Sequence, residues 1–149
     1  MEMGDLSEHF NSTEFRCHDG SPLPDNFPET IKDTVEFLER LRGFMNFYIA
    51  KNTGVWLDLG IIIISGHRTL SYNRRIGSSD TSRHVTGQAA DVKPVGGYKY
   101  FSYGDFYKMC AIVDKSFPGR PYRLGYYGRS KFVHIDCGYG HGSTRWTGN

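Results

Sequence analysis

The chain of 149 residues has no paired cysteines to build on. Cys17, Cys110 and Cys137 are odd in number, far apart and form no Cys-x-x-Cys. That argues against a disulfide framework or a thiolate zinc finger, and for synthesis in a reducing compartment. A charge excess is also missing. Eighteen Lys and Arg against sixteen Asp and Glu leave a net charge of +2, too mild to suggest a nucleic-acid partner. The four arginines from Arg68 to Arg83 are a local concentration, suggestive and no more. Met1 to Phe10 contains acidic residues and no apolar h-region, so no secretory signal is expected. The longest apolar run, Val55 to Ile64, is broken by Asp58 and Gly60 and falls short of the roughly 20 residues that span a bilayer. These absences predict a protein made in the cytoplasm without membrane insertion. No internal repeat or second domain is visible, so one domain, 1–149, is expected.

What the chain does have is aromatic weight: ten Tyr, ten Phe and two Trp. At this length a domain buries roughly 70% of its unfolded surface, enough for an independent core. Tyr98, Tyr100, Tyr103, Tyr126, Tyr127 and Trp146 are candidates either for a substrate groove or for that core.

The longest helical pattern runs from Pro28 to Ala50. Ile31, Val35, Leu38, Leu41, Phe44, Met45 and Tyr48 recur at steps of three and four, which makes one apolar face. Trp56 to Ser65, with four isoleucines in a row, reads as a strand buried on both faces. Tyr72 to Gly77 reads as a short helical turn, Ala89 to Pro94 as a second strand, and Asp105 to Phe117 as a second helix. Tyr122 to Tyr127 and Lys131 to Cys137 read as a hairpin turning at Gly128-Arg129-Ser130. The tail from Gly138 is glycine-rich, and its His141 has no assigned role.

Chemistry concentrates at three places. Ser82-Arg83-His84-Val85-Thr86-Gly87-Gln88-Ala89-Ala90-Asp91 holds an imidazole and a carboxylate seven positions apart, with small residues between them. In the last strand the period of two puts His134 and Asp136 on one face. Two histidines and one carboxylate make a three-ligand set that leaves a fourth zinc position open, as in hydrolytic sites. Asp136 is the candidate proton acceptor, and Arg68, at the end of the first strand, a candidate for holding a substrate carbonyl or carboxylate. Cys17-His18-Asp19-Gly20 also sets two metal-binding residue types side by side, but no partner spacing accompanies it, and it reads as an ordinary loop.

Ser65-Gly66-His67-Arg68, the pattern Ser82-x-His84-x-x-Gly87-x-Ala89-x-Asp91, and the run from Gly125 to Gly138 around His134 resemble the zinc D-Ala-D-Ala carboxypeptidase family. Phage endolysins that cut peptidoglycan stem peptides belong to it, and Hedgehog signalling domains share its fold. Phe10 to Gly20 resembles the start of small members. The resemblance implies an α+β fold, a small antiparallel sheet flanked by helices. It implies His84, Asp91 and His134 as ligands to Zn2+, Arg68 as the substrate-positioning arginine and Ser82 beside the site. The implied activity is a zinc peptidase acting on peptidoglycan, either a D,D-carboxypeptidase or an L-Ala-D-Glu endopeptidase. Without a signal sequence, that activity implies release through a holin or carriage on a virion. The alternative is a binding or structural module on the same fold. Two departures stand out. Many members place the acid/base three or two residues before the last histidine, where this chain has Lys131 and Phe132. Its His-x-Asp ending leaves open an exchange of roles, with Asp136 ligating and His134 acting as base. The second departure is His67, where relatives usually carry tyrosine.

Overall fold

In the computed structural model, which describes residues 3–137 and 144–148, the predicted apolar stripe forms helix α1 (Phe27–Thr53). It starts one residue before the expected span and runs three beyond it. Pro in the first turn lacks only an N–H that would be unpaired there, and Glu29 faces the positive helix end. Gly54, at φ 77°, ends the helix by donating its N–H to the Ala50 carbonyl. Ile31, Val35, Leu38, Leu41, Met45 and Ile49 are buried along one side. Each such side chain contributes about 1.5–3 kcal/mol by leaving water.

Five strands form one sheet: β1 (Ile61–Ser65), β2 (Ala89–Pro94), β3 (Arg123–Tyr127), β4 (Phe132–Asp136) and β5 (Arg145–Gly148). Their order is β1-β2-β4-β3-β5. The β1/β2, β2/β4 and β3/β4 pairs are antiparallel, and β5 lies parallel to β3. Helix α2 (Leu70–Arg75) follows β1, and α3 (Tyr103–Lys115) follows β2. Ser102 caps α3 by accepting from the Asp105 amide, while Asp105 accepts from the Ser102 amide in return. The class is α+β, as expected.

Two expectations are corrected. The first strand is not buried on both faces: it starts at Ile61, lies at the sheet edge, and leaves Ile62 38% exposed. Asp58, at positive φ and paired with Arg42, breaks the apolar run before it, and Val55, Trp56 and Leu57 stay in solvent. The most buried strands are instead β2 and β4, which have a neighbour on each side. Second, the sheet is mixed rather than antiparallel, because the glycine-rich tail supplies β5. A parallel partner is joined by no tight turn, so no local pattern announces it.

The alternation of β4 divides the molecule. Val133 and Ile135 enter the apolar core with Ala90, Val92, Leu124, α1 and α3. His134 and Asp136 turn to the opposite face, where Asp91 and Arg123 meet them in register.

Candidate metal centre

His84 stands on the loop before β2. The turn behind it requires Gly87, whose φ is 75° and whose absent Cβ would lie 2.6 Å from the Thr30 hydroxyl. His84 Nδ1 is 2.7 Å from the Gly66 carbonyl, which can only accept, so Nδ1 carries the proton. Its Nε2 lies 3.2 Å from Asp91 Oδ1. From β4, the register partner of Asp91, His134 sets Nδ1 2.9 Å from the same oxygen. Its Nε2 is 2.7 Å from Asp136 Oδ2. Ligand atoms of His84, Asp91 and His134 all fall within 4.8 Å of one another, and all three residues are buried.

The donor set fits a metal ion. Burial holds the His84 pKa below its ordinary value, against the pull of Asp91, so the ring is neutral. With Nδ1–H committed to Gly66, a bare lone pair on Nε2 confronts a carboxylate oxygen at 3.2 Å. Two acceptors at that separation repel, and a cation between them removes the conflict. Burial alone would raise the Asp91 pKa, but in the metal-free protein the bond and charge of His134 outweigh it and hold the group below the usual range. Burial likewise opposes charge on His134. Its bonds to Asp136 and Asp91 prevail and raise the metal-free ring to about 9. Asp136 receives the Nε2–H of His134, which leaves Nδ1 directed at the ligand cluster, the usual second-layer arrangement of a metal-bound histidine.

Arg68 approaches from the β1–α2 connection. Its Nη2 is 3.5 Å from Asp91 Oδ2, its Nε donates to Ser65 Oγ and its Nη1 to Asn73 Oδ1. Buried Asn73 is tied in turn to the Ser79 carbonyl. Ser82 accepts from the His84 amide. Asp136, only 1% exposed, also lies 3.6 Å from Arg123 Nη1. A cleft of about 550 Å³ opens over these groups, lined also by Ser78, Ser79 and Thr81 and by the aromatic rings of Tyr127, Phe132 and Trp146. Arg83 lines it together with Arg68 and Arg123.

Of the candidate aromatics, Tyr127 and Trp146 line this cleft. Tyr98, Tyr103 and Tyr126 pack with the core, and Tyr100 is exposed away from the cleft. His67 is buried against Phe27 and is not among the clustered donors. His18 contacts the Ile64 carbonyl, and Cys17 is a buried free thiol. His141 lies outside the described residues. Arg123, Asn73 and the Gly66 carbonyl did not emerge from the sequence. Arg123 was within reach, because counting back from the hairpin turn places it opposite Asp136.

The sequence model of the family described as Peptidase M15 matches residues 45–136. That covers more than half the chain and includes Arg68, His84, Asp91, His134 and Asp136. The chain belongs to the peptidase M15 family. Among curated proteins no match is found. Within the family frame, the His84–Asp91–His134 cluster is a site able to hold the metal of a metallopeptidase. Strand β5 falls beyond the matched residues.

Proposed function

We propose that the protein is a zinc metallopeptidase that hydrolyses peptide bonds in peptidoglycan stem peptides, as a D,D-carboxypeptidase or an L-Ala-D-Glu-type endopeptidase. The observation that carries this reading is the opposed pair His84 Nε2 and Asp91 Oδ1, with His134 Nδ1 on the same oxygen, at the floor of an open cleft. Two nitrogens and one oxygen suit zinc, and three protein ligands leave a position for substrate chemistry. Zinc held there by His84, Asp91 and His134 would supply Lewis acidity and bring the pKa of water at the site toward ~7.

The residues of the chain do the rest. Arg68, fixed by Ser65 and Asn73, presents its guanidinium to a substrate carbonyl and offsets the negative charge that develops there. Arg83 and Arg123 suit the carboxylates that stem peptides carry. Asp136 has two separable roles: it holds His134 by accepting Nε2–H, or it takes the proton of the attacking water. Its 2.7 Å bond to His134 and its burial support the first role. The same bond favours His134 as the ligand over the exchanged assignment, since Asp136 meets the ring nitrogen opposite the one that faces Asp91. The place of action proposed is the cell wall or periplasm, reached with a holin or on a virion, and this rests on the family resemblance.

A non-catalytic binding module is the second reading. It is favoured by the cleft's carboxylates: among the described residues only Asp91 and Asp136 line it, and both are engaged. Defined muropeptides incubated with the protein, with and without chelator, and followed by mass spectrometry decide between them. Chelator-sensitive release of D-Ala, or scission after L-Ala, is expected. Stoichiometric zinc with every peptide intact would leave only the module.

A further inference from the structure

Across three neighbouring strands the residues His134, Gly125 and Trp146 stand in one row: Gly125 pairs with His134 on β4 and with Trp146 on β5. The middle position has no side chain, and the indole occupies the space left open. A Cβ on Gly125 would sit 2.6 Å from Trp146 Cε2 and 2.8 Å from its Nε1. The indole thereby reaches across β3 to the imidazole, with ring centroids 5.1 Å apart. Its Nε1–H donates to the Tyr127 hydroxyl. The guanidinium of Arg123 lies over its ring at 5.1 Å while standing 3.6 Å from Asp136. The strand that brings it is tied down at its start. Leu124 N–H donates to the Thr144 carbonyl, and Arg145 donates to the Tyr122 carbonyl and forms an ion pair with Asp114 of α3.

We propose that Trp146 is a positioning residue for the metal centre, and that β5, outside the family-matched residues, completes the site by docking it. The indole packs on the His134 ring and fixes its rotation, so that Nδ1 stays on the side of His84 and Asp91 and Nε2 on the side of Asp136. It also fixes Arg123, and through Arg123 the carboxylate that receives the imidazole N–H. This rests on the metal-binding reading above.

Cobalt(II) serves as the probe, because it reports both affinity and ligand geometry. By calorimetric titration, Trp146→Ala is expected to bind it about 10–100-fold more weakly, the usual cost of losing support behind a ligand. Its visible absorption spectrum shifts, while Trp146→Phe, which keeps a ring against His134, restores most of both. Gly125→Ala keeps every native ring but displaces the indole, and is expected to follow Trp146→Ala. In Trp56→Phe, which removes the exposed second indole, cobalt is expected to quench the remaining tryptophan fluorescence. Unchanged cobalt affinity and spectrum in Gly125→Ala, or in a folded Trp146→Ala, would overturn the proposal, as would absence of quenching in Trp56→Phe when calorimetry shows cobalt bound. A wild-type protein that binds no cobalt refutes the metal-binding reading itself, and this inference with it.

Discussion

Neighbouring residues on β4 live in opposite worlds although both are hidden from water. Val133 and Ile135 are buried among the side chains of α1 and α3. His134 and Asp136 are nearly as buried on the other face, but among charges. The apolar face gains free energy from every methylene removed from water. The polar face gathers two carboxylates, two imidazoles and two guanidiniums whose desolvation opposes folding unless each finds a partner. One face holds the protein together. The other is held by it, and its unresolved contact between His84 and Asp91 is what a metal ion answers.

The contrast can be broken most completely at His84. His84→Ala is expected to abolish stoichiometric zinc binding and chelator-sensitive hydrolysis, while the metal-free protein still folds, destabilised by about 1–3 kcal/mol because the buried Gly66 carbonyl loses its donor. Calorimetric metal titration and urea unfolding on the same sample check both halves. The core responds in the reverse sense. Leu41→Ala removes a fully buried side chain and should cost roughly 2–5 kcal/mol in urea unfolding, with zinc affinity unchanged in the folded fraction. Asp136→Asn sharpens the division within the polar face, since an amide oxygen can still receive the His134 N–H. If Asp136 orients His134, activity falls about 10–100-fold in parallel with zinc affinity. A loss of kcat at saturating zinc well beyond that range identifies it as the proton acceptor.

The smallest effect belongs to a polar cluster on the far side of α1. Glu39 accepts from Ser7 Oγ, from the His9 amide and from His9 Nδ1. Burial would raise its pKa, but these bonds outweigh it and lower the value below the ordinary 4.5. A carboxylate with a depressed folded pKa stabilises above the unfolded value and loses that contribution as pH falls through the folded one. The protection of the His9 amide, its exchange rate relative to the intrinsic rate at the same pH, should therefore fall below about pH 4.5, and Glu39→Gln should remove that fall. Partial exposure keeps the effect modest.

Much of this division was legible in the chain. The 3.6-residue period of α1 and the two-residue period of β4 each depend on neighbours in sequence, so His134 and Asp136 could be set on one face before any contact was known. The short spacing of His84 and Asp91 also survived, because Gly87 leaves few ways to close that turn. Other features depended on who lies beside whom. Four isoleucines in β1 suggested a doubly buried strand, yet hydrophobicity does not say which strand takes the edge.

By itself, then, the sequence determined the elements other than β5, the polar face of β4 and the residue types of a three-ligand site, since local periodicity and short motifs encode them. Only the tertiary structure decided that Arg123 joins Asp136, that the Gly66 carbonyl chooses the tautomer of His84, and that Trp146 crosses a glycine to reach His134. Those contacts join residues 12 to 18 positions apart, across a sheet whose order no local pattern encodes.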